Sequence, residues 1–106
     1  MNILDIIDNI KIKTIYGSLP TKVNNISQDS RKIAKGDVFV AIKGYTVDGH
    51  NYIEKVIAQG AALVIASRYE DYNVQDCAVV VVKEHEIEKI ASMLAKKINS
   101  GNKVHT

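Results

Sequence analysis

The sequence predicts an α/β fold: one mostly parallel sheet covered by helices, in a single domain. Three observations carry that expectation. Val38 to Ile42, Ala62 to Ala66 and Ala78 to Val82 are continuous apolar runs rich in β-branched residues, and strands apolar on both faces are usually central strands under helices. Between the first two runs, Ile53, Val56 and Ile57 recur at helical spacing, and Gly60 stands where a left-handed helix terminator belongs. After the third run, Ile87, Ile90, Ala91, Leu94 and Ile98 mark one face of a second helix. Strand, helix, strand in that order reads as a parallel crossover, which is expected to be right-handed.

The remaining elements follow in chain order. Ile3, Leu4, Ile6, Ile7 and Ile10, with Asp5 and Asp8 opposite, predict a short amphipathic helix over residues 2–10. Ile12 to Tyr16 suggests a strand, and Gly17, Ser18 and Pro20 supply turn signals, so the stretch to Asn25 reads as a hairpin-like or irregular lead-in. The crossover helix is expected near 51–59 and the final helix near 86–98, where Lys96 and Lys97 suit the helix dipole. Asn99 to Asn102 is polar and turn-rich, and Lys103 to Thr106 shows no periodicity, so 1–100 reads as the domain and 101–106 as the start of a linker.

Composition removes several classes of function. The chain has 106 residues, 46% hydrophobic and 25% charged, which is the balance of a folded globular domain. Its formal charge of +2 comes from scattered basic residues with no interleaved aromatic platform, so no nucleic-acid partner is expected. Asp5 and Asp8 break the pattern of a signal peptide, and no apolar run approaches ~18 residues, so no membrane partner is expected. The single cysteine, Cys77, cannot form an internal disulfide, which fits reducing cytoplasm. There is no GxxxxGK(S/T) phosphate loop and no Cys/His cluster with metal-ligand spacing, so no metal site is expected.

Two polar segments interrupt the pattern: Gln28-Asp29-Ser30-Arg31 before the first buried strand, and Gly44-Tyr45-Thr46-Val47-Asp48-Gly49-His50 after it. Ligands of open α/β sheets collect outside the carboxyl ends of strands, which favours the second segment. Its backbone amides and the Thr46 hydroxyl could meet an anion or a nucleobase edge, ahead of a helix N-terminus. Equally, Asp48 could cap the helix, Gly49 relieve backbone strain and His50 stand exposed in the first turn. For the first segment, Ser30 and Arg31 could face a phosphorylated ligand; alternatively Asp29 holds a turn and Arg31 pairs with Asp37. His85, His105 and Cys77 have no placed partners and are expected to carry no chemistry.

The ordered series Asp29-Ser30-Arg31, Lys35-Gly36-Asp37-Val38-Phe39-Val40-Ala41, Gly44 to His50, and Ala58-Gln59-Gly60-Ala61 resembles the N-terminal domain of the Mur ligases. It most resembles the MurE branch, the UDP-N-acetylmuramoyl-tripeptide synthetases, and within it the lysine-adding forms of Gram-positive cocci. The sibling MurF branch, which adds D-alanyl-D-alanine, carries similar motifs and is the alternative; a freestanding α/β interaction domain without a nucleotide ligand is a second. The resemblance implies an ATP-dependent amide-bond ligase of peptidoglycan biosynthesis, cytoplasmic, in which this domain binds the UDP end of UDP-MurNAc-L-Ala-D-Glu. It further implies that Ser30, Gln28, Tyr45, Thr46 and Val47 contact the UDP moiety, with Asp29, Arg31, Asp48, Gly49 and His50 supporting them. Catalysis, ATP and magnesium belong, by the same resemblance, to a central domain that follows this stretch. The residues that choose L-lysine or meso-diaminopimelate belong to a C-terminal domain. This stretch alone is expected to be inactive.

Overall fold

The computed structural model describes residues 4–8 and 10–93. Five strands form one sheet: β1 (Ile12–Tyr16), β2 (Ile26–Ser27), β3 (Val38–Val40), β4 (Leu63–Ala66) and β5 (Ala78–Val82). Their order across the sheet is β1-β5-β4-β3-β2. β2, β3, β4 and β5 run parallel, in the registers Ile26 beside Val38, Val38 beside Leu63 and Leu63 beside Ala78. The three expected apolar runs are therefore the three central strands, and every residue of β3, β4 and β5 is buried.

β1 is a correction to the sequence reading. It makes no local hairpin; it pairs antiparallel with β5 at the sheet edge, from Ile12 beside Val82 to Tyr16 beside Val79, with an irregularity between Ile12 and Thr14. A partner more than sixty positions away leaves no local signature, whereas the turn residues that follow β1 do.

Alternation along the strands divides the core in two. Phe39, Val64, Ala66, Val79 and Val81 face one side, where Ile33, Ile53, Val56 and Tyr72 pack on them. Val38, Val40, Leu63, Ile65, Val80 and Val82 face the other, against Val23, Ile87 and Ile90 and the half-buried Ile6, Ile7 and Ile10. Helix α1 (Leu4–Ile7) is shorter than the expected 2–10, of which residues 2, 3 and 9 lie outside the described residues. Helix α2 (Ile53–Ala58) is preceded by a 3-10 turn, Gly49–Tyr52. Residues 84–93 form helix α3; the rest of the expected 86–98 helix, the linker at 101–106 and His105 lie outside the described residues.

Gly60 closes α2 as expected, with φ +100°, and its carbonyl accepts from the Gly36 amide at 2.9 Å. A Cβ there would stand 3.0 Å from the Lys35 Cα, so the end of α2 lies directly on the turn that leads into β3. Cys77 is buried at the entry to β5, and burial pushes its thiol up to about 11, which leaves it unreactive at neutral pH.

Candidate functional site

The site begins with two chain segments that leave the sheet at the same end, one from β2 and one from β3, because those strands are parallel neighbours. After β2, Asp29 caps a 3-10 turn over Ser30–Lys32. Its Oδ1 accepts from the Arg31 amide and Nε, each at 3.0 Å, and its Oδ2 accepts from Arg31 Nη2 at 3.0 Å. Arg31 thus pairs with Asp29 and not, as the sequence suggested, with Asp37. The Asp37 carboxylate is buried and accepts from the amides of Asn25 and Ala34. The Arg31 side chain and then its amide, both bonded to the Asp29 carboxylate, hold that carboxyl at about 2, well below its ordinary value. Gln59 of the turn after α2 donates its side-chain amide to the carbonyls of Ser30 and Ile33, both at 2.9 Å, and so ties this turn to the helix end.

After β3 the chain forms a narrow two-stranded turn. Lys43 bridges Asp48, the Gly44 amide donates to the Val47 carbonyl at 2.8 Å, and the Gly49 amide donates to the Ile42 carbonyl at 2.8 Å. Tyr45 and Thr46 form the tip in solvent, and Val47 is half-exposed. Gly49 is required by close approach, not by backbone strain. Its φ is not positive, and a Cβ there would lie 2.7 Å from the Ile42 nitrogen.

His50 corrects a second expectation: it is 3% exposed. Its Nδ1 lies 2.7 Å from Asp48 Oδ1, and its Nε2 accepts from the Ser67 amide at 3.0 Å, with the Ser67 hydroxyl at 3.2 Å. An amide N–H can only donate, so Nε2 carries no proton and Nδ1–H donates to Asp48. The sequence misses this because Ser67 follows β4 and reaches His50 only through the parallel pairing of β3 and β4. Arg68 Nη1 donates to Asp48 Oδ2 at 3.0 Å. Burial works to raise the Asp48 pKa, but the His50 amide and ring and the Arg68 guanidinium outweigh it and leave the carboxyl at about 2.

The chain Asp48–His50–Ser67 has the connectivity of a hydrolase relay, but not its chemistry. The imidazole lone pair that would take a proton from the hydroxyl is already held by the Ser67 amide. The three residues are a brace. The amides at the start of the 3-10 turn are likewise taken up within the loop. Gly49 donates to Ile42, His50 to Asp48 Oδ1 and Asn51 to the Asp48 carbonyl. Asp48 is the cap, as one reading of the sequence had it.

Between the two segments lies an open groove of about 660 Å³. Gln28, Asp29, Ser30 and Arg31 line it from the β2 side, Gly44, Val47 and Gly49 from the β3 loop, Phe39 and Ile42 from the β3 strand and its end, and Tyr52 and Lys55 from the helix. The structure therefore brings Gln28, Ser30 and Val47 together, and does not bring Tyr45 and Thr46 into the lining. Sequence reasoning missed Tyr52 and Lys55. Their spacing of three places them on one helical face beside the core-facing Ile53 and Val56, and that was the available signal. His85 is exposed on α3, away from this groove. Among the described residues no group of three or more His, Cys, Asp or Glu side chains could hold a metal, and no helix is long and apolar enough to cross a membrane.

Residues 22–102 match the family model described as "Mur ligase family, catalytic domain". The chain is 37% identical over 95 residues to the UDP-N-acetylmuramoyl-L-alanyl-D-glutamate--L-lysine ligase of Staphylococcus haemolyticus, covering 90% of this chain and 19% of that protein. It is 39% identical over 84 residues to the corresponding 2,6-diaminopimelate ligase of Clostridioides difficile, covering 79% of this chain and 17% of that protein. The chain thus spans under a fifth of the length of these relatives. Among solved structures, MurF ligase from Thermotoga maritima in complex with ADP superposes with a TM-score of 0.54 at 28% identity, over 74% of this chain and 17% of that one.

Proposed function

The chain belongs to the Mur ligase family, and from that premise we propose that it binds the UDP end of UDP-MurNAc-L-Ala-D-Glu, as the N-terminal domain of a cytoplasmic ligase that adds the third stem-peptide residue. The observation that carries the reading is the groove itself, in which Gln28 and Ser30 from one strand end meet Val47 from the next. Its volume falls in the ~300–1,000 Å³ range of small-molecule sites. Ser30 and Gln28 are the polar contacts of one wall; Tyr45, Thr46 and Val47 form the turn that closes over the ligand from the other. Asp29, Arg31, Asp48, Gly49 and His50 act through the walls, because their own polar groups are consumed in holding them.

The contribution to ligation is positioning: fixing the remote nucleotide end places the reacting carboxylate for the rest of the enzyme. By the same reading, phosphoryl transfer with ATP and magnesium is the work of a central domain beyond residues 1–100, with 101–106 as the connecting segment. The two relatives, an L-lysine ligase and a 2,6-diaminopimelate ligase, favour one of those residues as the one added over the dipeptide added by MurF.

Amide chemical-shift mapping with UDP tests the site. Shifts at Gln28, Ser30 and Tyr45 to Val47 are expected; shifts centred on His85 or Cys77 would refute the assignment. At about −0.3 kcal/mol per non-hydrogen atom, UDP with roughly 25 such atoms reaches micromolar affinity at best, and an open groove falls short of that.

A further inference from the structure

Resting on that nucleotide reading, we propose that Lys55 is the side chain that meets the phosphate charge of the ligand, with Tyr52 as the aromatic face that keeps its ammonium at the groove. The groove offers an anion few charged groups. Two cations line it, Arg31 and Lys55, and one carboxylate, Asp29. Arg31 is engaged by Asp29 through paired 3.0 Å bonds, so the two charges cancel and the guanidinium fork faces its own turn.

The amides at the start of the 3-10 turn are equally unavailable, since Gly49, His50 and Asn51 each donate within the brace. Of the charged groups that leaves Lys55, which makes no ion pair among the described residues. Its Nζ stands 5.9 Å from the centre of the Tyr52 ring, one turn back on the same face, within the range of a cation–π contact. The adjacent carboxylate, Glu54, lines a separate hollow with Ile57, Ala58 and Asn73, so it does not oppose Lys55 from its own helix. Lys55 alone therefore gives the groove its positive sign. An ammonium on a four-carbon stem acts as a mobile point charge, which suits a diphosphate with several anionic oxygens.

The test is isothermal titration of the 106-residue chain with UDP and with uridine, at two salt concentrations, for the wild type, Lys55→Met and Lys55→Arg. UDP is expected to bind Lys55→Met about tenfold more weakly, the loss of one charge-assisted contact. Its affinity for that variant should depend less on salt. Uridine should bind both within twofold, and Lys55→Arg should restore most of the UDP affinity. If the wild type binds UDP and Lys55→Met binds it equally well, the role of Lys55 is overturned while the nucleotide site stands. If the wild type binds neither uridine nor UDP, the nucleotide reading fails and the Lys55 assignment falls with it. A loss of uridine and UDP binding in equal measure would make Lys55 a structural residue and refute the charge contact.

Discussion

The tip at residues 45–47 and the base at residues 48–50 are consecutive in one loop and opposite in what their atoms do. At the base, Asp48 takes three donors, His50 spans from Asp48 to Ser67, and Gly49 lies against the Ile42 backbone. At the tip, the amides of Tyr45, Thr46 and Val47 find no acceptor among the described residues, and the side chains stand in solvent. Side chains rich in chemistry, an imidazole and a carboxylate, are thus the architecture. The plainer residues are the ones whose polar groups stay free. A motif is read correctly only when its internal bonds are subtracted first.

Breaking the base should cost the most. His50→Ala strands the part-buried Ser67 amide and opens a void, and about 3 kcal/mol of stability should be lost, read as a lower urea midpoint at unchanged slope. Gly49→Ala comes next. Its Cβ would press on backbone rather than on a yielding side chain, and about 2 kcal/mol is expected from the same measurement.

Acid offers a graded version of the same break. Asp48 and Asp29 both hold folded-state pKa values of about 2, below the ordinary 3.8. Their stabilisation is complete above the unfolded value and is lost as pH falls through about 2. Asp48→Asn should flatten the stability curve between pH 4 and 2 more than Asp29→Asn, because the Asp29–Arg31 pair is screened by solvent. Equal flattening would mean that the base is no better protected than a surface turn. The smallest effect on stability belongs to the tip. Tyr45→Ala and Thr46→Ala should move the urea midpoint by less than about 0.5 kcal/mol and yet weaken UDP binding severalfold; a tip that matters to folding and not to UDP would reverse the comparison.

The fold was legible wherever burial writes itself into composition. Val38 to Val40, Leu63 to Ala66 and Ala78 to Val82 are apolar on both faces because both faces are covered, and no other element needs that pattern. Gly60 was legible because a positive φ selects the residue type. The edge pairing of β1, the burial of His50 and the Asp29–Arg31 pair were not. The first two depend on residues that meet only after the sheet assembles. In the third, the 3-10 turn brings a partner two positions away closer than the one that charge spacing suggested. Among the groove's lining residues, Ser30 and Val47 were singled out by motif and strand end, whereas Tyr52 and Lys55 were hidden in a stretch read only for its core face.

Gln59 joins regions 26 and 29 positions apart through two bonds from a single nitrogen. These bonds hold the wall that carries Ser30 against the end of the helix that carries Lys55, which should make the two move as one body. The rear of the groove is then expected to need no rearrangement on binding, which leaves only the tip to settle on encounter. Association should then follow a single exponential whose rate rises linearly with nucleotide concentration, at the ordinary pace of a preformed site. Gln59→Leu, by releasing both carbonyls, should introduce a slow second phase.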